Sequence, residues 1–494
     1  MRNKKNRLIR TITTLALAAA LALIGTVPSF ADESTFEGAP DGPDIVAEGA
    51  LVMDAGSGQI LYEKNGDKVR DPASVTKVLN LLVCLDTLDF NEVVTVDRNV
   101  DNMPSTMELQ KGETLKTGDL IYAMMLWSAN DAAEYLGYLA GGNMETFCEM
   151  MNKKAAACGA TQTKYKNPNG LNPDAVNNQT TPHDIALVMR QAMKDERFRE
   201  IVGTAKYYIP ETNKHKERKI INSNKCLWNQ EKIDELAALE KEAKENPPVY
   251  HYDELTGVET VDSATEARNK KISKLKKKTR YMIEGCIGGK TGYTSTAGGC
   301  YVGYATRGNT DIIVVVMKSD NRTTRFQDAV KLWNYAYENF ETYTAAKTGY
   351  ALVTIKVKRG SLRDVDLGVA EDLKVTELKG TDASKSVTTE VQLNEEKPLA
   401  PIPEGTVLGQ IIAYDNGEEV SRQDLIALET VEEGGPLSYI GIADEDVPVF
   451  LIMLGTAILT LIIIIRVIVI IRRRRRTVAG TSDKECEDGD SGEH

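Results

Sequence analysis

The sequence predicts an α+β (mixed α/β) fold: an antiparallel sheet gathered from distant segments, a helical subdomain, then a small β-rich domain and a C-terminal transmembrane helix. Three observations carry this expectation. Strand-like segments stand near both ends of the stretch 51–317, with helical periodicity between them. Alternating apolar and polar residues return in 350–435. From Val447 to Ile465 no residue is charged, and Val467–Ile471 continues the run past Arg466, which is enough to cross a hydrocarbon core of about 30 Å.

The ends of the chain set the topology. Arg2, Lys4, Lys5, Arg7 and Arg10 precede the apolar stretch Leu15–Ile24, and Ser29-Phe30-Ala31 offers small residues before Asp32, so 1–31 reads as a cleaved signal peptide. At the other end Arg472–Arg476 follow the apolar run of 447–471. The positive-inside rule places 472–494 in the cytoplasm and the bulk of the chain outside the cell membrane. With 60 Lys and Arg against 72 Asp and Glu the net charge is −12, the basic clusters lie at the two ends, and a nucleic-acid binder is disfavoured. Seven cysteines without a C-x-x-C pair or a neighbouring histidine pair give no zinc site; no metal or cofactor is expected, and any disulfide pairing stays open.

In chain order, 32–46 reads as a spacer rich in Asp, Glu, Gly and Pro, and a first domain spans 47–345. Leu51–Met53, the turn Ala55–Gly58 and Gln59–Tyr62 read as a hairpin. Asp71-Pro72 opens a helix that is apolar nearly all round (Val75, Val78, Leu79, Leu81, Leu82), hence buried mid-domain. Helical patterns continue at 118–127, 131–140, 144–158 and 183–194. Gly298–Ala305 and Asp311–Met317 read as antiparallel strands joined at Arg307-Gly308-Asn309, and a helix from about Thr324 to Asn339 closes the domain. Residues 229–280 read as an insertion: an amphipathic charged helix at 229–248, then eight basic residues between Arg268 and Arg280. The run is expected to be a solvated excursion, with contact to an anionic polymer or bilayer as the alternative. A β-rich domain over 346–440 joins the first domain to the span.

Chemistry concentrates in three places. In Ser74-Val75-Thr76-Lys77 the i,i+3 spacing puts a hydroxyl and an amine on one face, and burial can lower the lysine pKa until it serves as base. Ser128-Ala129-Asn130 falls between two helical segments. Lys290-Thr291-Gly292-Tyr293 comes just before the first strand of the 298–317 hairpin. Each pattern alone is weak: Ser-x-x-Lys recurs at Ser273, Ser-x-Asn at Ser319, and Lys-Thr-Gly at Lys116 and Lys347. Only Ser74, Ser128 and Lys290 come in the order nucleophile, loop, strand, each in fitting local structure.

Through Asp71–Lys77, Ser128–Ala133 and Gly289–Thr294, and more weakly Asn167–Leu171, the chain resembles the serine D-alanyl-D-alanine carboxypeptidases, the low-molecular-weight penicillin-binding proteins. The resemblance runs from about Gly49 to Phe340 and into the β-rich domain. It implies a penicillin-binding transpeptidase/β-lactamase-like fold and release of the terminal D-alanine from peptidoglycan stem peptides, with β-lactams as covalent inhibitors. It also implies Ser74 as nucleophile, Lys77 as base, Ser128 as proton relay, Asn130 on the substrate amide, Lys290 and Thr291 toward the terminal carboxylate, and the N–H groups of Ser74 and Tyr293 as oxyanion hole. A D,D-endopeptidase or β-lactamase of the same fold, and a non-hydrolytic wall-binding or β-lactam-sensing protein, are the alternatives. The arginine beside the carboxylate is left open between Arg322 and Arg325. His183 and Asp184 are expected to be structural, and Trp127 to pack in the core.

Overall fold

The computed structural model describes residues 38–482 except 101–102, 172–177, 249 and 254–257. The expected signal peptide and the end of the tail lie outside the described residues. Two compact units result. Of the described residues, one unit holds those up to Thr342 together with Thr376–Thr381; the other holds Tyr343–Val375 and those from Asp382 on.

The first unit is built on a five-stranded antiparallel sheet, in the order Ile60–Lys64, Gly49–Asp54, Thr310–Ser319, Gly298–Arg307, Cys286–Thr294. Its middle strand reads Ile-Ile-Val-Val-Val-Met because both faces are covered, and successive side chains enter two different cores. Leu51, Met53, Val302, Ile313, Val315 and Met317 meet the helical side, which carries Lys77–Thr87, Asn130–Gly141, Met144–Ala157 and Pro182–Ala192. Ala50, Val52, Tyr301, Ile312, Val314 and Val316 meet helix Thr324–Asn339 through Phe326, Leu332 and Trp333.

Several sequence expectations change here. Lys290 comes before the first strand of the hairpin as expected, but it is not in a loop: it lies within a further strand, Cys286–Thr294, at the sheet edge and paired among the described residues only with Gly298–Arg307. The end of the expected spacer is docked rather than free: Val46 and Ala47 donate their N–H groups to the buried Asp328 carboxylate at 3.0 Å each, and Tyr335 Oη donates to Pro40 O at 3.1 Å. Trp127 is 47% exposed and lies outside the three buried apolar clusters, so it does not pack in the core as expected. Asp184 is structural as expected, holding Gln162 N at 2.9 Å and Thr163 Oγ1 at 2.7 Å. Six cysteines, Cys84, Cys148, Cys158, Cys226, Cys286 and Cys300, are separate thiols.

The inserted segment is a helical hairpin, Gln230–Glu245 and Ser263–Thr279, joined by a short strand pair. Charge sorts across it: Lys271–Glu235 at 2.7 Å, Lys276–Glu240 at 2.8 Å and Arg268–Glu242 at 3.7 Å tie the basic helix to the acidic one.

The second unit has its own five-stranded antiparallel sheet, ordered Val353–Lys356, Asp364–Val369, Glu418–Ala427, Val407–Asp415, Val387–Leu393. Its core is formed by Ile355, Val365, Leu367, Ile411, Ala413, Leu425 and Val431. The chain then enters helix Val447–Ser482, whose aliphatic side chains from Val449 to Ile471 lie outward on every side. A helix this long and apolar is of the kind that crosses a membrane.

Candidate active site

Ser74 sits on a single 3₁₀ turn, Ala73–Thr76, that runs straight into helix Lys77–Thr87. In a 3₁₀ turn residues i and i+3 eclipse, so Lys77 lies directly beneath Ser74. The turn is strained and braced. Ala73 has φ +46°, its N–H is held by Asp71 Oδ1 at 2.9 Å, and Thr76 Oγ1 donates back to Ala73 O at 2.8 Å.

Lys77 Nζ donates to three acceptors: Ser74 Oγ at 3.0 Å, Asn130 Oδ1 at 2.6 Å and Asn169 O at 2.8 Å. These three match the three N–H bonds of an ammonium. In the neutral amine one is replaced by a lone pair, and an amine that has lost its proton toward Ser74 can accept one from that hydroxyl. Burial, and then the positive charge of Lys290, hold the Lys77 pKa well below its ordinary value; Asp131 pulls the other way. Asp131 is itself occupied, accepting Met107 N at 3.0 Å, Leu109 N at 2.9 Å and Ala132 N at 2.9 Å. It thereby fixes the segment whose Pro104 O accepts from Asn130 Nδ2 at 2.6 Å. Among the described residues Asn130 keeps one N–H uncommitted.

Ser128 follows a widened π turn, Ala123–Trp127, and adopts left-handed backbone at φ +64°. Such bulges re-aim side chains. Lys290 Nζ donates to Ser128 Oγ at 3.0 Å and to Thr291 O at 3.0 Å, which joins the second and third motifs. Burial and the nearby Arg325 push the Lys290 pKa down to about 7.

The edge strand passes close to the nucleophile turn at Gly292. A Cβ there would lie 2.9 Å from Pro72 O and 3.0 Å from Ser74 N, so only glycine fits. Tyr293, next along, is 38% exposed. Arg325 is buried behind the strand, donating to Gly292 O at 2.5 Å, while the Arg322 guanidinium lies 4.7 Å from the Tyr293 ring centre. Sequence had left these two arginines open; the fold puts Arg325 behind the strand and Arg322 beside its exposed tyrosine.

Two participants escaped sequence reasoning. Asn169 was noted only as part of a weak match, yet its carbonyl is a direct partner of Lys77. Ser223 Oγ lies 2.9 Å from Thr291 Oγ1, contributed by a segment just beyond strand Arg218–Ile221. No local pattern marks it, since it is 68 residues from its partner. The eight residues singled out, Ser74, Lys77, Ser128, Asn130, Lys290, Thr291, Gly292 and Tyr293, come together from three stretches of chain: the Ser74 turn with the helix it enters, the Ser128–Asn130 segment, and the edge strand. A hydroxyl over a desolvated amine, with backbone N–H groups and a cation alongside, can carry acyl transfer.

The fold and this cleft define the class, the penicillin-binding proteins. A family model described as D-alanyl-D-alanine carboxypeptidase matches residues 36–246 and 235–321, and one described as penicillin-binding protein 5, C-terminal domain, matches 340–433. The chain therefore belongs to the D-alanyl-D-alanine carboxypeptidase family and is a serine-type carboxypeptidase. It is 28% identical to the D-alanyl-D-alanine carboxypeptidase DacC of Escherichia coli (strain K12), over 85% of this chain and 92% of that one. It is 24% identical to DacF of Bacillus subtilis (strain 168), over 80% and 88%. Among solved structures, penicillin-binding protein 5 from Haemophilus influenzae superposes with a TM-score of 0.57 at 24% identity, covering 80% of this chain and all of that one.

Proposed function

We propose that this chain is a membrane-anchored D,D-carboxypeptidase that removes the terminal D-alanine from peptidoglycan pentapeptide stems through an acyl-Ser74 intermediate, and that β-lactams acylate the same serine. The observation that carries the reading is the Lys77–Ser74 contact of 3.0 Å inside a site whose burial favours the neutral amine. Lys77 takes the Ser74 proton as Oγ attacks the carbonyl of the penultimate D-alanine. The N–H groups of Ser74 and Tyr293 receive the oxyanion. Ser128 passes a proton to the departing amine, and Asn130, through its uncommitted N–H, steadies the stem peptide. Lys290 and Thr291 draw the terminal carboxylate to the edge of the strand, which Gly292 lets pack against the turn carrying Ser74. Water then releases the shortened stem. Helix Val447–Ser482, with Arg472–Arg476 at its far end, supports a single span with the catalytic unit outside and a short cytoplasmic tail.

Incubation of the purified full chain with a defined pentapeptide muropeptide tests this. The expected products are one D-alanine and a tetrapeptide stem, with a β-lactam adduct mapping by mass to the peptide containing Ser74. Cleavage of cross-linked dimers alone, or an adduct that never turns over on any stem, overturns it.

Two further results are expected. Lys290 is charged below pH of about 7 and neutral above it. Its attraction for a carboxylate is therefore present on the acid side and lost as pH rises, so kcat/KM for a stem ending in a free carboxylate should fall through that range while an amide-capped analogue shows no such limb. A profile that is the same for both removes Lys290 from that role. Ser223→Ala should raise KM roughly 3–10-fold and leave kcat within two-fold, because it frees the Thr291 hydroxyl to turn without touching the nucleophile; this corresponds to the ~1 kcal/mol of one neutral hydrogen bond. Ser223→Thr should restore KM.

A further inference from the structure

The helical hairpin of 230–279 holds a surface that the catalytic reading leaves unused. On Ser263–Thr279 the buried or half-buried positions are Thr265, Arg268, Ile272, Leu275 and Thr279, spaced so as to form one stripe turned inward. Lys271 and Lys276 flank it and are consumed by Glu235 and Glu240. Lys270, Lys274 and Lys277 follow i, i+4, i+7 spacing on the opposite, outward face, with Lys278 adjoining, and all four are exposed. Among the described residues none of them has an ion-pair partner, although the neighbouring helix supplies acidic side chains to every inward-flanking base. Like charges one turn apart cost helix stability, by about 0.2–0.5 kcal/mol per pair. The fold has no use for the stripe, and it stands in a chain whose net charge is −12.

The contents of that face select the partner. On that face Ser273 stands between the lysines and Glu266 and Ala267 one turn before them, with no large apolar side chain to enter a bilayer and no aromatic ring on which a base could stack. Lys270 to Lys278 spans about 12 Å along the axis, a row that fits two or three successive phosphates of an extended chain. Beside it, toward the inward stripe, runs an open hollow of ≈ 560 Å³ lined by Asn269, Ser273, Lys276, Lys277, Thr279 and Arg280 and floored by Ile272. We infer that the outward lysine stripe of this hairpin is a docking surface for a linear polyol-phosphate polymer of the cell envelope. It holds the enzyme along the polymer by phosphate contacts and is independent of the cleft chemistry.

The test uses the full chain in zwitterionic lipid nanodiscs and a fluorescent poly(glycerol phosphate) oligomer, with affinity read by anisotropy from 50 to 300 mM salt. Replacing all three of Lys270→Gln, Lys274→Gln and Lys277→Gln should weaken binding at least ~10-fold and lower the salt slope by about 2, as loss of three phosphate contacts requires. The triple change Lys232→Gln, Lys241→Gln and Lys244→Gln alters net charge equally on the partner helix and should shift affinity less than two-fold. D-Alanine release from a soluble pentapeptide should be unchanged in both, which shows that both fold. The inference is overturned if the wild-type chain does not bind the oligomer, or if the stripe variant retains its affinity. Equal weakening in both triples, or binding to anionic-lipid vesicles or single-stranded DNA as tight as to the oligomer, overturns it too.

Discussion

Lys77→Met is expected to slow acylation by a β-lactam and D-alanine release alike by about 10³–10⁴-fold, and Ser74→Ala to remove both. Methionine nearly fills the volume of the buried lysine but leaves Ser74 without a base, and Asn130 Oδ1 and Asn169 O without their donor. Because Lys77 is buried and charge-depressed, the substitution removes little favourable charge burial. The unfolding temperature should therefore fall by only a few degrees while chemistry is lost. Stopped-flow acylation and calorimetry on the same preparation check both halves. Retention of a tenth or more of the acylation rate would mean that another group takes the serine proton.

Gly170→Ala should cost about 10²-fold in kcat/KM. Gly170 has φ +83°, and a Cβ built there would stand 1.9 Å from Ala73 O, the carbonyl next to the nucleophile. That backbone cannot yield without moving Ser74, and displacements of about 1 Å at a reacting atom carry penalties of this order. Gly142 is a matched control: it has φ +72° with nothing within 4 Å of the added atom. Gly142→Ala should lose a similar ~1–2 kcal/mol to left-handed strain and keep its activity. If both variants lose activity together, backbone strain rather than displacement is the cause.

What was legible in the sequence was what lies close along the chain. Ser74 and Lys77 share a turn, and Ser128 and Asn130 share a loop, so spacing alone indicated their chemistry. The hairpin 298–319 was visible through its β-branched run. The strand carrying Lys290 was not, because Gly288, Gly289 and Gly292 depress strand propensity; close approach demands small residues there, of Gly288 to Val202, of Gly289 to Val302 and of Gly292 to the nucleophile turn. Ser223 and the Asn169 carbonyl were hidden for a different reason. Their partners are 68 and 92 residues away, and a backbone carbonyl carries no side-chain signature at all. Trp127 misled because an apolar residue type does not entail burial. In the hairpin 230–279 the basic run was visible, but not that Lys271 and Lys276 are spent on the acidic helix while Lys274 is not.

The strap Thr376–Thr381 bears on modularity. Although flanked on both sides by residues of the second unit, it belongs to the first. Thr376 N donates to Gln59 Oε1 at 2.8 Å, Gln59 Nε2 to Thr376 O at 3.2 Å, and Lys379 N to Asn339 O at 2.8 Å. A gene fragment ending near residue 345 would therefore encode an incomplete catalytic unit, even though every cleft residue is present. Recombination at that border would exchange one unit only by damaging the other. The two units are, in this sense, inherited together.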